Sequence, residues 1–368
     1  MKKVLFLGAS GRVGETASDY LLRNLPDVEL TLVTRSSEVD IGRYGKYSDR
    51  VKTMHADITD VNLLKEMITE NALVISCVGP SHRIGSLVID ACAEKGAALL
   101  DVSGYDPALK HLDRLNADGV LRAPIVVNSG LLPGLSGSYP QYLIHRYRDY
   151  SPVEKVEVFY AGRDVWSLSS AIDIVSSLGG FGDNKGFCRI ENGELRKLGF
   201  LRSLVSVKFP EPVGRVSGMS MYSEEMARLI RDENIKTACV SGANIGKRAG
   251  FSLLLSMIFR RYASEKGIVK GAESLVKASV KDRESASPFY GISCRLTLAD
   301  GRIVNGMLTA ADTYTPTGYV VGINAVSMLT GKLAPRGYSM HEAVPAEYLI
   351  PALQKSGVLT LITDSFAD

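Results

Sequence analysis

Residues 4–24 constrain this chain more than any other stretch. Residues 4–7, Val-Leu-Phe-Leu, are short and wholly apolar, as expected of a strand covered on both faces. Gly8-Ala9-Ser10-Gly11-Arg12-Val13-Gly14 follows at once and opens a predicted helix over 12–24. A strand feeding a glycine loop into a helix gathers unpaired backbone N–H groups and a partial positive charge in one place, which suits a phosphate. Glycine is needed where a side chain would block the turn, the approach of backbone to a pyrophosphate, or helix–strand packing. The spacing is GxxGxxG, not GxGxxG, so the order of elements carries the reading more than the glycines do. A structural glycine turn without ligand is the alternative. Gly8, Ser10, Gly11, Arg12, Val13 and Gly14 are the first candidate cofactor contacts.

Further apolar runs at 30–33, 73–78, 98–102 and 125–127 alternate with predicted helices near 60–70, 84–95 and 108–118. That alternation implies right-handed βαβ units and a parallel sheet. After residue 150 the pattern changes. A strand is predicted over 153–160, helices over 167–178, 222–233 and 249–265, and a hairpin over 290–309 turning at Asp300-Gly301. Helices are expected again at 319–329 and 342–355. The fold class is α/β. An N-terminal Rossmann sheet (1–135) is joined to an α+β substrate and dimerisation domain (136–316), and a helical tail (317–368) returns to the first domain.

The end of the second strand selects the dinucleotide. An NAD site places Asp or Glu there, about 20 residues after the loop. This chain has Thr34-Arg35-Ser36-Ser37 and no acid until Glu38. Arg35 can pair with a 2′-phosphate, Thr34 and Ser36 can donate to it, and Arg12 adds a second cation. NADP(H) is the expected cofactor, with a solvated surface arginine as the alternative. Asp57 and Ile58, after a third strand, could cover the adenine. Cys77, Val78, Gly79 and Pro80 end the fourth strand, at the carboxyl edge where open α/β sheets bind ligands.

Composition limits the partners. Forty-three Lys+Arg against 40 Asp+Glu leave a net charge of +3 in 368 residues, too balanced to argue for nucleic acid. No apolar run approaches the roughly 18 residues of a membrane span, and Gly8 cuts short any secretory leader. The apolar stretch 251–259 reads as a buried helix or a dimer contact; no membrane partner is expected, and a homodimer is. Five scattered cysteines without a CxxC pair point to a reducing cytoplasm and away from zinc, and the five histidines have no metal-ligand spacing.

The glycine loop, then Val74-Ile75-Ser76-Cys77-Val78-Gly79-Pro80, Leu100-Asp101-Val102-Ser103-Gly104 and 126–134 (Val-Val-Asn-Ser-Gly-Leu-Leu-Pro-Gly) resemble the saccharopine dehydrogenase-like family over residues 1–137. Thr317-Gly318-Tyr319 resembles that family's return to the Rossmann domain. The resemblance implies an NAD(P)-binding Rossmann domain, with Ser103 at its cofactor edge, and a second domain that completes a substrate cleft. Its members include imine reductases acting on amino-acid adducts and enoyl reductases, so it leaves the substrate open.

Hydride transfer belongs to the cofactor, and the protein orients an acceptor and handles a proton. Asp101, Tyr105, Asp164 and Tyr314 are the candidate acid–base residues; His82, Arg163 and Trp166 are the candidate substrate contacts. A hydrogen-bonded structural role is the alternative for each. Cys77 has no partner histidine nearby in sequence and reads as a small buried hydrophobe. The expected function is NADPH-dependent reduction of a small-molecule or carrier-bound acceptor, with C=N favoured. The alternatives are a trans-acting enoyl reductase and a non-catalytic NADP-binding sensor or scaffold.

Overall fold

The computed structural model describes residues 1–68, 73–103, 106–179 and 186–367, which form two units. The first comprises Met1–Leu135 and Tyr314–Leu353. Its seven strands are all parallel, in the order Gly337–Ser339, Ile125–Val127, Ala98–Asp101, Leu73–Ser76, Lys2–Leu7, Val28–Thr34, Val51–His55. Leu5, Leu7, Val33, Val74, Leu99 and Val127 anchor one buried cluster of this sheet, which is why the strands read as apolar runs and not as alternating ones. The helix Arg12–Asn24 starts and ends as expected. The edge strand Gly337–Ser339 was not expected. At three residues it is too short to show a period, and it is held by pairing with Ile125–Val127.

The helix Tyr314–Thr330 lies along Arg12–Asn24, and two glycines let it approach closely. A Cβ on Gly318 would collide with Thr16 and lie 2.9 Å from the Val13 carbonyl oxygen; one on Gly322 would lie 2.7 Å from the Tyr20 ring.

The second unit comprises Ser136–Thr313 and Gln354–Asp368. Its mixed sheet runs Leu204–Lys208, Arg215–Met221, Thr237–Asn244, Val153–Arg163, Phe289–Leu298, Ile303–Ala310, Leu359–Phe366. A hairpin, Cys188–Glu191 with Glu194–Lys197, branches from the strand Thr237–Asn244. The Asp300-Gly301 turn forms as expected, with Gly301 at φ +87° and Asp300 accepting from the Arg302 backbone N–H at 3.0 Å.

Three expectations are corrected here. The tail is not helical throughout: Leu359–Phe366 is a strand paired antiparallel to Ile303–Ala310, so the last residues belong to the second unit. The helix expected at 249–265 ends at Ile258, where Arg260 turns at φ +48°, and a helix of 19 residues, Glu265–Arg283, follows behind a Ser264 cap. Finally, Lys247–Ile258 is not a buried helix. It turns Ala249, Ser252 and Ser256 inward and leaves Phe251, Leu254 and Ile258 exposed, as is Phe259 beyond its end.

Candidate cofactor and active site

The glycine loop sits where its sequence put it, between the first strand and the first helix. Gly8 adopts φ +77°, and a Cβ there would meet the Cys77 carbonyl oxygen at 2.9 Å. A Cβ on Gly14 would lie 2.7 Å from the Gly8 oxygen. Both positions are glycine because the chain packs against itself. Gly11 differs: its Cβ would touch only the Gly8 oxygen, at an ordinary 3.6 Å. Gly11 is the N-cap of Arg12–Asn24 and gives it no side-chain cap. The fold therefore has room for a side chain there, and what a side chain would fill is the open mouth of the helix, where a phosphate takes the N–H groups. The residues present fit a dinucleotide. Ser10 and Val13 are half-buried in the loop, and Arg12 is exposed with its guanidinium carbon 4.1 Å from the centre of the Tyr314 ring.

At the end of the second strand Arg35 and Ser36 are exposed, as a 2′-phosphate site needs. Thr34 is not available as a donor. It is 5% exposed, and its hydroxyl donates to the Ser37 carbonyl at 2.6 Å, with His55 Nδ1 at 3.2 Å. It shapes the loop that carries Arg35. Asp57 Oδ1 accepts from the Thr59 backbone and hydroxyl at 3.0 and 2.8 Å; these bonds, then the nearby Arg35, hold its carboxyl below the usual range. Ile58 is part of the buried cluster, so its side chain cannot cover an adenine.

The fourth strand's end closes on the loop, since the Cys77 N–H donates to the Leu7 carbonyl at 2.9 Å. Burial, with Asp101 adding to it, pushes the Cys77 thiol far up, so it is no nucleophile. Val78 packs on the buried cluster, Gly79 is exposed, and Pro80 caps the short helix Ser81–Ile84, in which His82 is half-buried.

Asp101 ends the next strand and is 2% exposed. Burial raises its pKa to about 6, against the opposing pull of the Ser103 N–H (2.9 Å to Oδ1) and of the Ser103 and Ser76 hydroxyls. Both hydroxyls are buried and have no hydrogen-bond partner among the described residues. Asn128 and Asn324 extend this polar cluster and were not foreseen. The Ser129 N–H donates to the Asp101 carbonyl at 3.0 Å, and Asn324 Nδ2 donates to Ser129 Oγ at 2.8 Å. The side-chain oxygens of Asn128 and Asn324 are buried without partners among the described residues. The available signal was Asn128-Ser129-Gly130 itself: Asn128 sits at φ +61°, a conformation asparagine tolerates. Tyr105 lies outside the described residues.

The remaining candidates divide. Asp164 is 4% exposed, with Oδ1 accepting from Val165 N–H and Oδ2 from the Thr313 N–H and hydroxyl, all at 2.8 Å. It clamps the second unit's own chain. Arg163 donates through Nε to the Ser287 carbonyl at 2.8 Å. Trp166 is half-buried and packs on the apolar cluster around Ile172, Val175 and Leu275, with its indole N–H buried and without a hydrogen-bond partner among the described residues. Tyr314 belongs to the first unit, beside Arg12, and not to a wall supplied by the second.

A seven-stranded parallel sheet with a glycine loop and an exposed arginine at its carboxyl edge defines a dinucleotide-binding Rossmann unit. Residues 4–121 match the model of the saccharopine dehydrogenase NADP binding domain. A human saccharopine dehydrogenase-like oxidoreductase is 30% identical over 117 residues, 27% of each chain. A Mycobacterium tuberculosis protein named as a trans-acting enoyl reductase is 28% identical over 104 residues, 27% of this chain and 25% of that one. The matches thus span about a quarter of these relatives. The fold of the whole chain is that of Saccharomyces cerevisiae saccharopine dehydrogenase (L-Glu forming), with a TM-score of 0.68, 15% identity and full coverage of both chains. Among the described residues no helix is long and apolar enough to cross a membrane.

Proposed function

We propose that this chain is an NADPH-dependent oxidoreductase that reduces the C=N bond of a small imine. The observation that carries the cofactor half is the contrast within the glycine loop: Gly11 alone is free of packing demands, and it stands at the helix mouth. The match of residues 4–121 supports NADP as the dinucleotide, and Arg35 with Ser36 supplies the exposed polar edge for its 2′-phosphate.

The imine half rests on Asp101. When bound, the cofactor supplies hydride. The chain's own residues hold the acceptor and set the local charge. Asp101, with a pKa of about 6, is largely ionised at neutral pH and places a buried negative charge at the strand edge. Such a charge favours a cationic acceptor, a protonated iminium, over one that develops negative charge during reduction. An imine also needs little from a general acid, because it arrives protonated.

The name of the M. tuberculosis relative favours a second reading, reduction of an enoyl group, which builds up enolate charge and gains nothing from an anionic Asp101. NADPH oxidation measured with a panel of amino acid–oxo acid mixtures, cyclic imines and enoyl thioesters separates the two. Turnover confined to enoyl thioesters refutes the imine reading, and NADPH binding without turnover of either class points to a sensor or scaffold.

A further inference from the structure

We propose that Tyr314 is a positioning residue for the cofactor: by stacking on Arg12 it holds that guanidinium at the mouth of the phosphate-binding helix, ready for a phosphate of the dinucleotide. The inference rests on the NADPH reading above. Arg12 is the first residue of its helix, next to the uncapped Gly11, and its Cζ lies 4.1 Å from the Tyr314 ring centre. That is inside the ~6 Å reach of a cation–π contact.

The ring is itself fixed. Tyr314 begins the helix Tyr314–Thr330, and Gly318 and Gly322, one and two turns on, seat that helix against Thr16 and Tyr20 of the phosphate-binding helix. Tyr319 adds an edge-on contact to Tyr20, with ring centres 5.5 Å apart. A long exposed arginine loses rotamer freedom when it grips a phosphate; a stack already in place reduces that loss before ligand arrives.

A cycle of four proteins tests this: wild type, Tyr314→Leu, Arg12→Ala and the double variant, with Tyr314→Phe as the conservative control. NADPH and NADH affinities are read by calorimetry, and melting temperatures without ligand. Tyr314→Leu is expected to weaken NADPH by roughly 3- to 10-fold, the span of an exposed to partly shielded cation–π contact. It should cost nothing further once Arg12 is alanine. Tyr314→Phe keeps the ring face and should bind as wild type. A loss seen only with NADPH assigns Arg12 to the 2′-phosphate, and an equal loss with NADH assigns it to the pyrophosphate; either supports the role. Equal losses with and without Arg12, or failure of phenylalanine to preserve affinity, overturn it as a merely structural effect. If wild type binds neither dinucleotide, the cofactor reading itself has failed, which is visible before any variant is made.

Discussion

The glycine loop at 8–14 and the segment 163–166 are both short, both follow a strand, and both looked functional in the sequence. In the loop, one residue type does two jobs: Gly8 and Gly14 satisfy packing, and Gly11 satisfies nothing within the chain. In the segment, Arg163 and Asp164 bond to the second unit's own chain, and the Trp166 ring packs on that unit's core. A functional residue is one whose chemistry the fold leaves unused. That criterion needs coordinates for side chains, but for glycine in a strand–loop–helix it is nearly visible in sequence.

The largest expected effect separates the two kinds of glycine. Gly11→Val should fold with a near-normal melting temperature and lose at least 100-fold in NADPH affinity, because its branched side chain fills the helix mouth. Gly14→Val should fail to fold normally, since its Cβ would sit 2.7 Å from a carbonyl oxygen with no flexible neighbour to yield. Circular dichroism and calorimetry on the pair are enough. If Gly11→Val retains micromolar binding, the ligand lies elsewhere.

Asp101 sharpens the contrast from the other side, as a buried group that the fold supports poorly. Its folded pKa of about 6 exceeds the ordinary 3.8, so between those values the folded state holds more protons than the unfolded chain. Stability therefore falls as pH rises through that window and then levels off. The full cost above about pH 6 is at most ~3 kcal/mol. Asp101→Asn keeps an acceptor for the Ser103 N–H and removes the charge. It should be more stable than wild type near neutral pH, by an amount that vanishes below about pH 4. Urea unfolding of both proteins across this range checks the sign, and parallel curves would show that the carboxylate is not paying for burial.

Arg35 bears on cofactor choice alone. Arg35→Asp should weaken NADPH roughly 10- to 100-fold, the loss of a charge-assisted hydrogen bond, while NADH stays level or improves. Wild type binding both dinucleotides equally would mean that Arg35 and Ser36 do not read the 2′-phosphate.

How much was legible follows physical lines. The parallel strands of the first unit announce themselves because burial on both faces demands apolar runs, and the helix Arg12–Asn24 could be bounded from its glycine and its pattern. The second unit was harder. Leu359–Phe366 alternates weakly and depends for its existence on a partner some 50 residues earlier, and Lys247–Ile258 reverses the usual inside-out rule. Within the site, backbone demands were readable and side-chain commitments were not. Thr34 looks like a donor until its hydroxyl is found on Ser37, and Ile58 like a ligand contact until it is found in the core. The cluster of Asn128, Ser129 and Asn324 joins residues almost 200 positions apart, which no local pattern announces.

The smallest expected effect tests the claim about the second region most directly. Asp164 accepts from the Val165 N–H and from the N–H and hydroxyl of Thr313, which engages both carboxylate oxygens. In Asp164→Asn only one oxygen remains, so one of the Val165 and Thr313 backbone N–H groups faces the amide NH2 without an acceptor, and the loss should be about 1–3 kcal/mol of stability. Neither NADPH affinity nor, once an acceptor is known, the turnover of the folded fraction should change. An acid–base group would behave otherwise: the same substitution would leave stability nearly intact and lower turnover at least 10-fold, about 1.4 kcal/mol in the barrier. Measuring denaturant midpoints alongside turnover distinguishes these, because the two roles predict opposite columns of loss for one atom exchanged.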